Sequence, residues 1–324
     1  MLTDKFNRII DYVRISITDR CNLRCRYCVN EAFQYLAHDE ILRYEEIIRF
    51  VRIVAQLGVK KVRLTGGEPL VRKGISYLLK TLSAIHGIND ISLTTNGVFL
   101  AEKIEELKDA GLHRINISLD SLKRERFHYI TQSNTFDLVL KGIDEAIRAG
   151  LNPVKINTVI IKGFNDDEIF DFAKLALDKG IHIRFIEFMP FGDSTLWDGS
   201  RIVPSDFIES LLKTKYTLEP TSNMHNGPAK MFTIEKGTGK IGFISPLSSH
   251  ICSECNRIRL TSRGMIRPCL FSEDEYDVKS LLRNNRSDEE IKAFIKNTVK
   301  AKPEKKVETG FIRKCQQSMR HIGG

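Results

Sequence analysis

Six of the seven cysteines in this 324-residue sequence fall into two groups of three. Cys21, Cys25 and Cys28 are spaced C-x3-C-x2-C, and Cys252, Cys255 and Cys269 are spaced C-x2-C-x13-C. Three thiolates per group is the decisive number. Structural zinc closes its shell with four protein ligands, whereas a four-iron cluster held by three cysteines leaves one iron open to a substrate or cofactor. His250, two residues before Cys252, could complete a zinc site at the second group, while no histidine lies close to the first. The seventh thiol, Cys315, reads as a surface or packing residue. An odd number of cysteines argues against a disulfide framework, and the opening MLTDKFNRII has neither the apolar run nor the cleavage site of a secretory leader. The expectation is a reduced, cytoplasmic setting with iron-sulfur chemistry.

Residues 11–189 must position the first group. They alternate short β-rich runs (VRISIT, KKVRLT, ISLTT, RINISL, VKINTVI, IRFIEF) with helical stretches that stop at Gly58, Gly111 and Gly150. Such βα alternation implies parallel strands with crossover helices. The fold class is α/β: a partial (βα)6 TIM-type barrel over residues 1–190, with a flat doubly wound sheet as the competitor. Side chains alternate along a strand, so Val13 and Ile15 share one face of the first run and Arg14 and Ser16 the other. Lys61 and Arg63 oppose Val62 and Leu64 in the same way, and Asn116 and Ser118 oppose Ile115 and Ile117. With the apolar faces against helices, Arg14, Lys61, Arg63 and Lys155 face the interior. Unpaired buried charge is costly, so that interior is expected to hold an anionic ligand.

Beyond residue 190 the pattern becomes loops, short strands (KMFTIEK, KIGFIS, RIRLTS), a charged helical stretch and a basic tail. Residues 191–324 read as a smaller C-terminal region of antiparallel strands and helices that closes the barrel and carries the second cysteine group. Gly237 to Gly242 match G-x-G-x-x-G, yet lie between two strand-like runs, which makes them a hairpin turn. Asp166 and Asp167 read as helix caps rather than as a catalytic carboxylate pair. Between Cys255 and Cys269 lie Arg257, Arg259, Arg263 and Arg267 with no acidic residue among them. Arg257 and Arg259 share a strand face, and their forked donors suit phosphate oxygens.

Lys plus Arg number 50 against 41 Asp plus Glu, a formal charge of +9. That excess could serve nucleic acid, an anionic membrane face or a small polyphosphate. No run of eighteen apolar residues is present, which argues against a membrane span. The aromatic residues, 8% of the chain, are scattered and form no stacking platform, which argues against a basic zinc or iron-sulfur protein that binds RNA.

The C-x3-C-x2-C motif directly after the first barrel strand, with Tyr27 before its last cysteine, resembles the signature of radical S-adenosylmethionine enzymes. The resemblance implies that Cys21, Cys25 and Cys28 hold a 4Fe-4S cluster whose open iron chelates S-adenosyl-L-methionine, from which a 5′-deoxyadenosyl radical is made. Gly66-Gly67-Glu68-Pro69 matches the GGEP motif of that superfamily, whose backbone meets the cofactor. Tyr27, Gly67, Thr94, Asn96, Ser118 and Met189 are then implied cofactor contacts.

DYVRISITDRCNLRCRYC, KVRLTGGEP, LTTNG, INISLDSL, IRFIEFMP, C-x2-C-N-R-I-R-L, PCLF and the terminal Gly323-Gly324 together resemble the GTP 3′,8-cyclase family of molybdenum cofactor biosynthesis. That resemblance runs from Asp11 to the last residue. It implies two 4Fe-4S clusters, the second on Cys252, Cys255 and Cys269 with an open iron toward guanine. It further implies removal of the C3′ hydrogen of GTP and ring closure onto C8, a carbon-carbon lyase reaction. Arg14, Lys61, Arg63, Lys155, Arg184, Arg257 and Arg259 are implied GTP contacts, and Gly323 and Gly324 form a tail that enters the active site. A flavodoxin-type electron donor and a downstream cyclic pyranopterin monophosphate synthase are the implied partners, and a homodimer is compatible with the family. Val29-Asn30 replaces the usual Met-Pro after the third cysteine, and the segment 31–39 is short. The competing enzyme class is a radical peptide-maturation enzyme with an auxiliary cluster, which usually carries a longer, more cysteine-rich C-terminal region.

Overall fold

The computed structural model describes residues 1–29, 33–191, 196, 198–221, 227–249, 252–305 and 319–323. Two-residue alternation of β-branched and polar side chains builds β1 (Tyr12–Ser16), β2 (Lys61–Thr65), β3 (Asp90–Thr95), β4 (Arg114–Ser118), β5 (Val154–Ile160) and β6 (His182–Glu187). Amphipathic helices return the chain between them: α1 (Tyr44–Gln56), α2 (Ile75–Ser83), α3 (Leu100–Asp109), the pair α4 (Arg124–Thr131) and α5 (Phe136–Arg148), and α6 (Ile169–Lys179). The six strands pair in parallel and in chain order. Val13, Ile15, Val62, Leu64, Ile115 and Ile117 are fully buried in one core with Phe50, Val54, Val139 and Ile143 of the helices. The apolar strand faces therefore look outward to the helices, as the alternation predicts.

The C-terminal region adds α7 (Ser205–Lys213), β7 (Leu218–Thr221), β8 (Lys230–Ile234), β9 (Lys240–Ile244), β10 (Arg257–Leu260), β11 (Met265–Arg267) and β12 (Tyr276–Asp277). Then come α8 (Lys279–Arg283), α9 (Asp288–Lys300) and α10 (Met319–Ile322). Antiparallel pairs are present as expected, β7 with β8 with β9 and β10 with β11 with β12. One strand of each set, however, joins the barrel in parallel: β9 extends the sheet at β6, and β10 extends it at β1. Ile241 and Phe243 of β9, with Ile258 and Leu260 of β10, enter the same core as the barrel strands. Their other faces look inward, so both strands are covered on two sides, the environment in which parallel pairing is stable. The result is one 12-stranded sheet whose outer strands, β12 and β7, are unpaired with each other among the described residues, so the barrel is partial.

Two local expectations meet their geometry here. The G-x-G-x-x-G string belongs to the β8–β9 hairpin, whose turn residues Glu235 and Lys236 have φ of 51° and 56°. Asp166 and Asp167 are not helix caps. They sit in a 3-10 turn ahead of α6, where Asp166 Oδ1 accepts from Gly163 N at 2.8 Å and Asp167 pairs with Lys123 and Arg126. No described helix is long and apolar enough to cross a membrane.

Candidate active site

The inward strand faces and the loops that follow the strands share one cavity of 360 Å³. The loop carrying Cys21, Cys25 and Cys28 leaves β1 and is tied down on three sides. Arg24 N and Arg26 N donate to Thr131 O (3.0 Å) and Ile130 O (2.9 Å) at the end of α4. Gly67 N donates to Thr18 O at 2.6 Å and Glu68 N to Arg20 O at 2.7 Å. A Cβ on Gly67 would lie 2.3 Å from Arg20 O, so only glycine lets the two loops approach this closely. The Glu68 carboxylate then accepts from Leu70 N (3.0 Å), Thr95 Oγ1 (2.7 Å) and Asn96 N (2.6 Å), while Asn96 Nδ2 donates to Asn22 Oδ1 at 2.8 Å. GGEP thus fixes the cysteine loop against the ends of β2 and β3. Burial outweighs those hydrogen bonds at Glu68 and pushes its carboxyl up to about 7.

All three sulfurs of this group border the cavity. Burial raises Cys21 to about 11 and raises Cys25 well above the ordinary thiol range, with the neighbouring thiols of Cys28 and Cys21 adding to the effect at Cys25. Tyr27 Oη donates to Asp120 Oδ2 at 2.6 Å, and Asp120, pushed up by burial to about 6, also accepts from Val159 N at 2.9 Å. Gly67, Thr94, Asn96, Ser118 and Met189 line the same wall as Tyr27.

Cys252, Cys255 and Cys269 reach the cavity from the opposite side, ahead of β10 and after β11. Burial works to raise the Cys255 thiol, but Arg257 and Lys302 outweigh it and bring it down to about 6. Among the described residues no three Cys, His, Asp or Glu side chains converge as the ligands of one metal ion would. A four-iron cluster places its cysteines on separate irons, and the donor set of either group, three half-buried thiols with no fourth among the described residues, fits such a cluster.

Between the two groups the strand register lines up cations. Arg259 of β10 pairs with Arg14 of β1, which pairs with Arg63 of β2; two residues earlier Arg257, Tyr12 and Lys61 stand side by side. Like charges directly opposite one another are destabilising in a bare sheet. Part of the charge is answered locally: Arg114 pairs with Asp90, Lys61 stands 3.8 Å from Asp11, and Arg63 Nε donates to Ser92 Oγ at 3.0 Å. Burial, followed by Arg184, drives Lys155 down to about 6, and burial, followed by Arg63, lowers Arg184 to about 9. Nε of Arg184 and Nε of Arg259 are buried and find no acceptor among the described residues. Asp120 is the only carboxylate bordering the cavity among those residues. The arrangement can hold a multiply charged anion, which would supply the missing acceptors and relieve the repulsion.

The last described stretch, α10, approaches the mouths of β1 and β2. Ser16 Oγ donates to Arg320 O at 3.2 Å, and Gly323 is buried with φ of 77°, where a Cβ would lie 2.7 Å from Thr65 Cγ2. Met319 and Arg320 border the cavity; Gly323 packs beside its wall. Gly324, His250, Cys315 and Asn30 lie outside the described residues. Two members of the basic stretch turn elsewhere: Arg263 is exposed in the β10–β11 turn, and Arg267 is buried against Glu275 and Ser272 O.

Residues 15–176 match the family described as Radical SAM superfamily, and residues 181–308 match Molybdenum Cofactor Synthesis C. The GTP 3′,8-cyclase of Syntrophomonas wolfei is 49% identical over 326 aligned residues that cover all of both chains. That of Moorella thermoacetica is 48% identical over the same span, and that of Listeria monocytogenes is 46% identical over 88% of this chain and 86% of its own. The chain belongs to the GTP 3′,8-cyclase family. Solved structures share the fold at lower identity. Streptococcus suis SuiB bound to S-adenosylmethionine is similar with a TM-score of 0.62 at 15% identity, covering 86% of this chain and 66% of that one. HydG, a maturase of the [FeFe]-hydrogenase, is similar with a TM-score of 0.51 over 63% of this chain and 48% of its own. Membership in the cyclase family brings S-adenosylmethionine and 4Fe-4S clusters as cofactors, and the cysteine groups near the two ends of the chain fit two clusters.

Four charged cavity residues of this cyclase-family chain escape a reading of the sequence: Arg114, Asp120, Lys302 and Arg320. Arg114 lies on the same face of β4 as Asn116 and Ser118, so strand alternation alone could have found it. Asp120 follows that strand. Lys302 and Arg320 come from segments without strand periodicity and carry no such signal.

Proposed function

We propose that the chain converts GTP to (8S)-3′,8-cyclo-7,8-dihydroguanosine 5′-triphosphate, the first step of molybdenum cofactor biosynthesis, as a carbon-carbon lyase. The observation that carries this reading is the cationic row between two three-cysteine groups, with the buried Nε of Arg184 and of Arg259 lacking acceptors among the described residues. A triphosphate matches that need, and the guanine would lie toward the second group.

In this reading Cys21, Cys25 and Cys28 hold the first cluster, and Tyr27, Gly67, Thr94, Asn96, Ser118 and Met189 contact S-adenosylmethionine. Cys252, Cys255 and Cys269 hold the second. With its cofactors bound, the first centre supplies a 5′-deoxyadenosyl radical to the C3′ position of the ribose. The protein's own part is binding and orientation. Arg14, Lys61, Arg63, Lys155, Arg184, Arg257 and Arg259 clamp the phosphates and fix the ribose at one depth in the barrel. The tail at Gly323-Gly324 closes the β1–β2 side. Residues 1–190 and 191–324 then divide the work, the barrel serving the radical and the C-terminal region serving the substrate. A flavodoxin-type reductant, transfer of the product to a cyclic pyranopterin monophosphate synthase, a homodimer and a cytoplasmic location complete the proposal.

The product is an isomer of its substrate, because one hydrogen leaves C3′ and one electron and one proton return. Anaerobic turnover of GTP deuterated at C3′ tests the assignment: deuterium should appear in 5′-deoxyadenosine, with a new nucleotide of GTP's composition. Cleavage of S-adenosylmethionine with all deuterium left in GTP would refute it.

A further inference from the structure

Outside the strand faces, the second cysteine group is gripped by two buried cations that no motif marks. Lys302 follows α9 and is 3% exposed. Its ammonium donates to Arg257 O at 2.9 Å and to Pro268 O at 2.7 Å, carbonyls two residues after Cys255 and one before Cys269. Its charge also helps bring the Cys255 thiol down. An ammonium has three protons, and the two carbonyls take two of them. Arg8 works from behind: it donates to Cys252 O at 2.7 Å, to Pro303 O at 2.6 Å and to Glu304 O at 2.9 Å, while its Nε pairs with buried Asp4 at 2.5 Å. The two cations thus touch the backbone beside all three cysteines, and Arg8 holds the chain just past Lys302.

A buried lysine that served only to tie loops together would be costly compared with an apolar side chain. An anionic cluster beside it changes that balance. We infer that Lys302 is a positioning residue of the second cluster, its ammonium locking the Cys255 and Cys269 loops and setting its charge beside them so that the cluster's negative charge is answered from within the protein. The inference rests on the assignment of Cys252, Cys255 and Cys269 to that cluster. Hydrogen bonds and positive charge at cluster sulfurs raise the reduction potential, and outer partners of a metal ligand typically change metal affinity by about 10–100-fold.

The experiment uses the full chain carrying Cys21→Ala, Cys25→Ala and Cys28→Ala, reconstituted anaerobically so that only the second cluster is read. Lys302→Met in that background should shift its midpoint potential to more negative values, alter the spectrum of the reduced cluster and speed iron loss to a chelator about tenfold or more. Lys302→Arg should restore the potential toward that of the parent. A midpoint and release rate unchanged in Lys302→Met, or a Lys302→Arg chain as impaired as Lys302→Met, would overturn the inference and leave Lys302 a packing residue. If Lys302→Met does not accumulate as folded chain, Lys302→Gln keeps two donors without the charge and must show the same negative shift; an unchanged midpoint there counts against the inference equally. A parent chain that takes up no iron defeats the cluster assignment itself, a result distinct from an unchanged midpoint.

Discussion

Cys25 stands where burial and two neighbouring thiols make its proton hard to remove, whereas Cys255 is brought down to about 6 by Arg257 and Lys302 despite its burial. The first group is enclosed by backbone, Tyr27, Leu23 and the GGEP loop, with Arg320 as the basic side chain that reaches it. The second is surrounded by Arg257, Arg259, Lys302 and, through its backbone, Arg8. Equal ligand numbers therefore sit in opposite electrostatic settings. Cluster potentials follow net charge, hydrogen bonding and exposure, so the first setting suits a strong reductant and the second an acceptor site for an anion.

The largest test of that contrast removes one ligand from each group. Cys25→Ala and Cys255→Ala should each abolish GTP cyclisation and lower iron from about eight to about four per chain. Only Cys25→Ala should also abolish reductive cleavage of S-adenosylmethionine, measured as 5′-deoxyadenosine. Loss of that cleavage in Cys255→Ala would erase the division of labour.

Next in size is the tail, which approaches the barrel beside the first group. Gly323→Val places a branched side chain at φ of 77° against Thr65 and Ser16. A displacement of about 1 Å near reacting atoms can cost about 100-fold in rate, and a loss of that order is expected in cyclisation while iron content holds. Equal turnover in the variant would show that the tail has no part in the chemistry.

A smaller, pH-dependent effect belongs to the cationic side. Lys155, lowered by burial and then by Arg184 to about 6, is mostly neutral at pH 7.5 in the free chain. A triphosphate favours its charged form, so GTP binding should take up a proton, and affinity should fall as pH rises above 6. Calorimetry in buffers of different ionisation enthalpy reads the uptake directly; Lys155→Met should remove it. Binding without proton exchange in the parent chain would place the phosphates elsewhere.

The smallest effect concerns the scaffold of the first group. Burial raises the Glu68 carboxyl from 4.5 to about 7, so the folded chain holds a proton there that the unfolded chain has released. Its contribution to stability is fully present below pH 4.5 and is lost as pH rises from there through 7. Glu68→Gln should flatten that part of a stability-against-pH curve and cost about 1–3 kcal/mol, because its amide nitrogen faces backbone donors. Parallel curves for the two proteins would remove Glu68 from the account.

How much of this was legible beforehand follows from periodicity. The inward-facing Arg14, Lys61, Arg63 and Lys155 could be read because strands alternate with a period of two and their apolar neighbours declare the other face. The parallel docking of β9 and β10 could not, since short strands between turns look antiparallel until their partners are known. Arg267 shows the limit of reading charge from proximity: it lies among cationic residues in sequence but is paired with Glu275. Arg8 and Lys302 were invisible for a different reason, as their partners are backbone carbonyls that every sequence contains.

The sheet order carries a practical corollary. β10 caps one flank of the six-stranded half barrel and β9 the other, so a fragment ending near residue 190 would lay bare two rows of backbone donors and acceptors at once. Such a fragment is expected to self-associate through those rims. For this chain, trimming toward a minimal radical-generating unit would remove the walls that keep those edges from pairing with another copy.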